Sequence, residues 1–596
     1  MSKKKNHNAD ATSTSQGSLP IVTSYDSSSL LLSGGKKQAQ KTVAADTPEA
    51  SAAQKDVSAT QKGSADPQRK AKALDGLPVI TYAFGFVLLA VFCCWTYGPV
   101  FHHIGLDNFV CSDAEAMTFV RRLSYGSLYW AARYVLVVFK SQWLGGLLMA
   151  ALLTLTAWLF DRCVLCLTAR NDSVSGLGYG VGFLPVVGLL AYMVHRGYNL
   201  FFRCEISTFV VWTFALFAGA LVLGIAGILV QRFSIKGSAK LSRWNFAGAL
   251  LSLLAYCGLT YQAFVPGQNV RVACSMQNIL DETQDWDAMG DLARSCRQPS
   301  RSVAAFYTIS LIQSNQLLER VFDIPYNYPE FELDNVGGND EGINYIADCN
   351  LYAGLPNAAY HTSMENHVMI GPRMRNFKRM VICSLINGEY ALAQRYLNLI
   401  SKSPFEKAWV AKYSEMMERP ELIDDDEVLT NIKTLAPREN LFEQNYRQPV
   451  FLGYNVGVVN GSNTTLVTSV AACMYSKDLN NLLLRTDYLQ KVTTLPLSVQ
   501  QSILVASLNR PGLIENYPQV QSSYSLLQQD FKLFLADATP FIERKKAVKG
   551  DEEATKVIQN EMAEALRDNW LGSYYYYYYC GNLNQTVSKT ESHGVN

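Results

Sequence analysis

The first 72 residues lack almost every side chain that builds a folded core. They contain one aromatic residue, Tyr25, and consist mostly of Ser, Ala, Lys, Gln, Asp and Thr. Because such a segment buries too little apolar surface to offset the entropy of ordering, we predict a disordered polar tail over residues 1–72. The tail is too long and too polar to begin a cleaved signal peptide, so the apolar stretch that follows predicts an uncleaved signal anchor.

The chain also lacks a surplus of charge, with 52 Lys and Arg against 51 Asp and Glu. Nucleic-acid binding needs a basic face that neutralises phosphates, so we predict no nucleic-acid partner.

No GxSxG, HExxH or Walker sequence occurs. His361 and His367 are six residues apart and fall on different helix faces, and no other histidines share a helix at ligand spacing. We therefore predict no metal site and no bound cofactor.

The cysteines, 13 in all, show no disulfide framework. Cys163 and Cys166 have the spacing of a redox or metal pair, but no second pair lies nearby and helix packing explains them better. The six cysteines after Val270 are widely spaced on predicted helices, which favours buried thiols over bridges. Alternate glycines from Gly176 to Gly182 lack the strand and helix of a dinucleotide site and predict close helix packing.

Charge is absent from long apolar stretches in the first half of the chain. A bilayer core takes about 20 apolar residues as helix. Five stretches without Asp, Glu, Lys or Arg reach this length: 76–101, 141–160, 173–194, 206–231 and 244–270. They predict a transmembrane domain over residues 73–270 with five spans, at 77–100, 141–160, 175–195, 206–231 and 244–265. Because no predicted span holds a charged residue, a transporter is disfavoured.

Two clusters of basic residues set the orientation. Lys70 and Lys72 belong to a cluster before the first span, and Arg232 and Arg243 to a cluster between the fourth and fifth. Basic residues accumulate on the cytoplasmic side of a membrane. With five spans, the amino terminus is then cytoplasmic and residues 271–596 lie outside the cytoplasm.

Residues 123–139 are apolar enough to be a sixth crossing, which would move the carboxy-terminal domain inside. Arg133 at the centre of this stretch would cost about 2.5–3.5 kcal/mol in the bilayer. We predict instead a helix over residues 119–139 that lies on the outer face of the membrane, with Tyr125, Tyr129 and Trp130 at headgroup level.

Residues 371–402 contain the clearest local pattern, two apolar helical periods separated by Asn387 and Gly388. Small residues, Ala391 and Ala393, mark where the two helices approach. The hairpin resembles a tetratricopeptide unit, and fainter copies turn near positions 285, 315 and 354. One hairpin cannot bury both of its apolar faces alone, so neighbours must stack. We predict an all-α chain in which a tetratricopeptide-like α-solenoid, residues 271–596, follows the spans.

Less regular helices are predicted after residue 403, over 405–417, 426–435, 466–488, 497–508, 524–536 and 552–579. The last ends in six consecutive tyrosines, Tyr574–Tyr579. Such a run covers all sides of a helix. Three interpretations stay open: packing in the core or as a cap, contact with lipid headgroups, or a ligand site.

The strings GPRM at 371–374, LINGEYA at 385–391, AQRYL at 393–397 and LPLSVQ at 495–500 resemble an uncharacterised family of polytopic membrane proteins from Gram-negative gut bacteria. The resemblance extends over most of residues 77–580. It implies several spans followed by a tetratricopeptide-like domain. Together with the orientation set by the basic clusters, a Gram-negative source predicts the bacterial inner membrane as location and a periplasmic carboxy-terminal domain. The resemblance implies no activity.

One group of residues resembles an active site. Asp107, Asp113 and Glu115 follow the first span, as acidic residues do in the first outer loop of polytopic glycosyltransferases, where a carboxylate acts as base or binds a metal. Asp113 and Glu115 are weak candidates, because acids beside water need no function. We therefore expect a non-enzymatic, membrane-anchored scaffold whose repeat surface binds a protein or peptide. The alternative is a glycan- or lipid-transferring enzyme with this acidic loop as its catalytic centre.

Overall fold

The computed structural model describes residues 77–168, 179–197, 205–233, 247–327, 342–436 and 462–581. Within these ranges the chain is helical, and its one β contact is an isolated antiparallel bridge between Asn108 and Arg373. The all-α class is therefore confirmed for the described part. The predicted tail over residues 1–72 lies outside it.

The first half of the described chain contains long apolar helices joined by shorter ones. The helices are α1 (Leu77–Val91, continued by a π-helical turn over Phe92–Thr96), α2 (Gly98–Asp107), α3 (Thr118–Arg121), α4 (Gly126–Leu136), α5 (Gln142–Thr168), α6 (Phe183–Arg196), α7 (Thr208–Phe233) and α8 (Ala247–Phe264).

Four helical segments are long and apolar enough to cross a membrane: Val79–Thr96, Gln142–Cys166, Thr208–Leu229 and Ala247–Phe264. Three lie within predicted spans, and Gln142–Cys166 overlaps the predicted span 141–160 but extends beyond it. Helix α6 lies in the remaining one, but its 14 residues extend about 21 Å at 1.5 Å per residue, less than a bilayer core of about 30 Å.

The predicted helix over residues 119–139 is divided in the structure. Tyr125 takes a left-handed conformation with φ of 63° between α3 and α4, and a 3₁₀ turn over Val137–Lys140 follows α4. The 11 residues of α4 are too few to span a bilayer. Its exposed side carries Leu128, Tyr134 and Val135, so α4 presents an apolar face outward.

Glycines bring the apolar helices close together. A Cβ on Gly182 would lie 2.0 Å from the carbonyl oxygen of Ala157, and one on Gly227 would lie 3.2 Å from the Cα of Cys163. The predicted close packing of the glycine run is therefore confirmed at Gly182, while Gly176 and Gly178 lie outside the described residues.

The second half of the chain is a series of shorter helices. They are α9 (Gln268–Glu282), α10 (Trp286–Arg294), α11 (Arg301–Gln313), α12 (Leu317–Arg320), α13 (Gly342–Tyr352), α14 (Pro356–Ile370), α15 (Met374–Ile386), α16 (Tyr390–Ile400), α17 (Lys407–Glu418), α18 (Leu422–Asp425), α19 (Glu427–Leu435), α20 (Asn463–Ser476), α21 (Leu479–Val492), α22 (Leu497–Ser507), α23 (Pro518–Ala547), α24 (Glu552–Trp570) and α25 (Tyr574–Cys580).

All four predicted hairpin turns lie between consecutive helices, at 283–285, 314–316, 353–355 and 387–389. Gly354 and Gly388 take φ values of 80° and 74° there, a left-handed conformation that costs glycine little. Ala393 is fully buried on α16 as predicted, whereas Ala391 is exposed, so only Ala393 contributes to the helix crossing.

Two later predictions of single helices were wrong. The stretch 466–488 is divided into α20 and α21 by Lys477, which takes a left-handed conformation with φ of 57°. The stretch 552–579 is divided into α24 and α25 by residues 571–573, where Gly572 has φ of 95°. Residues 524–536 belong to the much longer α23. In both breaks one left-handed residue reverses the chain, which the helical period alone does not reveal.

The hydrophobic core is continuous from the apolar helices to α25, because buried side chains from Leu89 to Cys580 form one contiguous cluster. Only residues 265–267 separate α8 from α9, and α9 packs against α2. All 12 described cysteines are free thiols, in agreement with the prediction of unbridged cysteines.

Candidate functional site, a buried charged junction

The connecting segment, residues 98–140, joins the first two long apolar helices and packs against the second half of the chain. Its first helix, α2, begins with Pro99 in the first turn, where the missing N–H costs nothing. The helix buries His102, His103 and Asp107 against α9 and the start of α15. Polar side chains are therefore placed inside an interface.

Arg133 of α4 is fully buried and forms hydrogen bonds to three separate segments of the chain. Its guanidinium binds the Glu205 carboxylate through two bonds, Nε to Oε1 at 2.6 Å and Nη2 to Oε2 at 2.9 Å. Nη1 donates to the carbonyl oxygens of Phe109 at 2.8 Å and Pro372 at 2.9 Å. Burial by itself raises the pKa of Glu205, but the Arg133 guanidinium holds it below its ordinary value.

Three further buried arginines come from the segment that starts at Arg373. Arg373 lies 3.4 Å from a carboxylate oxygen of Asp107, whose other oxygen accepts from the backbone N–H of Arg375 at 3.1 Å. The Nε of Arg375 donates to Asp281 at 2.5 Å. Arg379, one helical turn later, forms a bidentate pair with Asp348, with Nη2 to Oδ2 at 2.7 Å.

These eight residues form what we call the charged junction: Arg133, Arg373, Arg375, Arg379, Asp107, Glu205, Asp281 and Asp348. Each carboxylate has a guanidinium within 3.4 Å. The formal charges of the eight cancel. Seven of the eight side chains are buried, and Asp281 lies at the exposed edge. Removing one member of a buried pair typically costs about 3–5 kcal/mol, because the other charge stays buried without its partner.

His103 completes the inner side of the junction. Arg375 Nη1 lies 3.2 Å from His103 Nε2. Burial and then the Arg375 charge hold the pKa of His103 well below its ordinary value, so the imidazole is neutral. An arginine cannot lose its proton in a protein. The junction therefore holds fixed charge in matched pairs, of which Asp107 with Arg373 joins the connecting segment to the second half.

A second contact joins the two halves at the end of the connecting segment. Lys140 donates to the carbonyl oxygen of Pro404 at 3.0 Å and pairs with Glu406. The other carboxylate oxygen of Glu406 lies 2.8 Å from Lys378. Glu406 is 6% exposed, so this lysine–glutamate–lysine group is also largely shielded from water.

The acidic candidates Asp113 and Glu115 lie in a turn on the surface of the connecting segment. Asp113 accepts from the backbone N–H of Glu115 at 2.9 Å and pairs with Lys402 at 2.7 Å. The hydrogen bond from Lys402 lowers the pKa of Asp113. Glu115 is exposed, and Asp107 lies apart from both in the charged junction. Among the described residues, no group of three or more His, Cys, Asp or Glu is placed to hold a metal ion.

Asp161 is a charged residue inside an apolar helix, which the predicted span boundary at residue 160 missed. It is fully buried on α5. Its carboxylate accepts from the backbone N–H groups of Gly180 at 2.8 Å and Gly182 at 2.6 Å, and from the Tyr82 hydroxyl at 2.8 Å. Asp161 therefore satisfies donors just before α6 begins.

The tyrosine run packs in the core, as the first of the three interpretations proposed. Tyr574 to Tyr577 are buried, and Tyr577 stacks on Phe322 with ring centroids 4.6 Å apart. Lys477 donates to the carbonyl oxygen of Tyr578 at 2.8 Å and thereby caps the end of α25. Burial lowers the pKa of Lys477 to about 7.

In a comparison with protein families, residues 273–581 match the model of DUF6057, described as a family of unknown function. The match covers more than half of the chain. The chain belongs to this family. No curated protein and no solved structure matches it significantly.

The DUF6057 match divides the charged junction between two regions. Arg373, Arg375, Arg379, Asp281 and Asp348 lie within residues 273–581, and the other three members lie before them. The string GPRM supported the family resemblance, but the sequence indicated no partner for its arginine, Arg373. A useful signal was present: three arginines within seven residues at the start of an otherwise apolar helix need buried acids if that helix packs on all sides.

Proposed function

We propose that this DUF6057 protein is a membrane-anchored helical scaffold whose second half is held rigidly on the connecting segment and presents a surface for a protein or peptide partner. The observation that carries the proposal is the charged junction. Its Asp107–Arg373 pair and the hydrogen bond from Arg133 to the carbonyl oxygen of Pro372 join residues 98–140 to the start of α15, an arrangement suited to positioning. The carboxylate of Asp113, by contrast, is hydrogen-bonded to a turn and a lysine at the surface, and Glu115 is exposed.

The contacts between helix ends support five transmembrane passes, α1, α5, α6, α7 and α8, that alternate in direction. At one end, Tyr82 of α1, Asp161 of α5 and the residues before α6 meet, and Ser252 of α8 donates to the carbonyl of Gly180. At the other end, Trp95 and Trp143 rings lie 5.6 Å apart.

The remaining helices agree with this alternation. Gln262 near the end of α8 donates to Ala191 near the end of α6 at 3.2 Å. Ser207, just before α7, donates to Tyr129 of the connecting segment at 3.2 Å. Helices α1, α6 and α8 therefore run in one direction and α5 and α7 in the other. In this proposal α6 is a short fifth pass, completed by the residues that precede it.

In this proposal the helical second half lies on the side of the membrane opposite the amino terminus. The basic clusters before the first span and between the last two favour a cytoplasmic amino terminus. Together with the family resemblance, this supports a bacterial inner-membrane location with residues 271–596 in the periplasm. The outward apolar face of α4 supports its position on the outer face of the membrane.

Successive hairpins support the tetratricopeptide-like arrangement. The first helices of neighbouring hairpins pack in order, α9 on α11, α11 on α13 and α13 on α15. We propose that this array is a short solenoid and that α20 and later helices extend it. Helix α21 carries an exposed apolar stripe at helical spacing, formed by Leu484, Tyr488 and Val492. Exposed apolar patches of this kind mark interaction surfaces, and we propose the stripe as the partner site.

A deletion strain tests the scaffold against a transferase. Serine at all three stripe positions should abolish complementation, because the partner contact loses its apolar area. Asp113→Asn combined with Glu115→Gln should retain it, since shape persists and only ionisation is lost. Protein levels are checked by immunoblot, and serine at the exposed Leu526 and Leu533 of α23 is the matched control.

The opposite pattern would contradict the scaffold. Loss of complementation in the Asp113 and Glu115 variant at normal protein level would promote the transferase, because removal of a general base typically costs roughly 10²–10⁴-fold in rate.

A further inference from the structure

The loop between α16 and α17 holds an aromatic side chain in an unfavourable position. Phe405 is 80% exposed and has φ of 66°. Bulky residues with positive φ are outliers, and an exposed phenyl ring gains nothing from burial that would offset the strain. The ring needs a contact outside the described chain to account for its placement.

The backbone on both sides of Phe405 is firmly held. The carbonyl oxygen of Pro404 accepts from Lys140, and Glu406 lies between Lys140 and Lys378. Ser403 and Glu406 are buried. The loop is therefore fixed while the ring between them is presented to the surroundings.

Lys140 locates this loop relative to the apolar helices. It lies two residues before Gln142, where the second spanning segment begins. Trp143 and Leu144 at the start of that segment are 56% and 53% exposed, and Trp95 beside Trp143 is 69% exposed. Exposed tryptophans at the end of a spanning helix are typical of the membrane interface.

The residues around Phe405 also fit a phospholipid surface. Lys402 and Lys407 on either side of the ring are exposed, and Lys402 pairs with Asp113 of the connecting segment. Lysines that flank an aromatic residue can contact phosphates while the ring enters the acyl boundary. The exposed apolar residues of α4, Leu128, Tyr134 and Val135, belong to the same connecting segment as Lys140.

We propose that Phe405 is a membrane contact of the helical second half: its ring inserts into the phospholipid headgroup and acyl boundary beside the Trp95 and Trp143 pair. The charged junction and this ring then fix the second half at two points, one on the protein and one on the lipid. The inference rests on the spanning helices and not on the identity of a partner.

Spin labelling of the full chain in phospholipid vesicles tests this contact. Nitroxide labels are attached at Phe405→Cys, at Trp143→Cys as the lipid reference, and at Tyr488→Cys as an exposed aromatic position on α21. The parent carries Cys257→Ser, since that thiol is exposed, and its residual spectrum is subtracted. Accessibility to oxygen and to a water-soluble nickel chelate is measured at each site.

The label at position 405 should show an oxygen-to-nickel accessibility ratio several-fold above that at 488 and close to that at 143. A ratio equal to that at 488 would overturn the proposal and place the ring in water. Low accessibility to both reagents would also overturn it, because it would mean that protein covers the ring. Phe405→Asn, which tolerates positive φ, should leave thermal unfolding in detergent unchanged or raise its midpoint slightly by relieving the strain, and show that the ring is not needed for folding.

Discussion

At the residue scale, the position of the Arg133 side chain is fixed by its hydrogen bonds and its burial. Its guanidinium makes four hydrogen bonds to three separate segments of the chain, and its side chain is fully buried. The cost estimated from lipid insertion does not describe this position, because Arg133 is surrounded by protein and paired with Glu205. The Arg133 charge, which disfavours a membrane crossing of α4, instead binds partners in three protein segments that pack around it.

Replacing Arg133 by Met should destabilise the protein by about 3–5 kcal/mol, because Glu205 would stay buried without a counter-charge. The measurement is thermal unfolding of the full chain in detergent, followed by near-ultraviolet circular dichroism. Adding Glu205→Met should restore part of the loss, and Arg121→Met on the exposed surface should have little effect. A single variant as stable as the parent would mean that the pair is not formed.

Lys477 provides a pH-dependent signal. Its pKa is lowered to about 7 by burial, against an ordinary value of 10.5 in the unfolded chain. Between these values the unfolded state binds more protons, so the contribution of Lys477 to stability rises as pH increases from 7 towards 10.5. Relative to Lys477→Met, the parent should gain melting temperature between pH 7 and 9. Lys491→Met, at an exposed position, should show the same pH dependence as the parent.

At the element scale, the helical hairpins were largely predictable. Periodicity and turn residues located α15, α16 and the four turns. A left-handed glycine or asparagine gives a clear local signal at three of them, whereas the turn near 285 has Gln284 in that conformation. The breaks at Lys477 and Gly572 were missed, because the apolar pattern continues across both. The short α6 was predicted as a full span, because residues 179–182 just before it have the apolar, glycine-containing composition of a packed helix but form bends and turns.

The site was much less predictable than the helices. Asp107 and Arg373 are 266 residues apart in sequence, and no local pattern indicates such a pairing. Asp113 and Glu115 were proposed as catalytic candidates because they are close in sequence, yet the buried acid of this segment is Asp107. Charge pairs between distant elements depend on tertiary packing, which periodicity does not encode.

The α15–α16 hairpin can be tested with two neighbouring alanines. Ala393→Arg should unfold the helical second half, because a long charged side chain would replace a fully buried methyl group and cost several kcal/mol. Ala391→Arg should be tolerated, since Ala391 is exposed. Both variants are compared by thermal unfolding of the full chain. Equal melting of the two would refute the packing of α16.

At the scale of the whole molecule, the central claim is that the second half is seated on the connecting segment. The exposed pair Asp113 and Lys402 bridges these two parts at 2.7 Å and can be replaced without touching the charged junction. In the full chain, Asp113→Cys and Lys402→Cys can be joined by a short bismaleimide. A protease site inserted between residues 234 and 246 then separates the two halves unless they are cross-linked.

Cross-linking in native membranes, followed by proteolysis and denaturing electrophoresis, is the most direct measurement. In a Cys257→Ser background, since that native thiol is exposed, the account predicts that the protein with both introduced cysteines, the double-cysteine protein, stays at full length after cleavage. Each control with one introduced cysteine should release two fragments. Separate fragments from the double-cysteine protein, at the level of the controls, would show that the second half does not rest on residues 98–140 and would contradict the account.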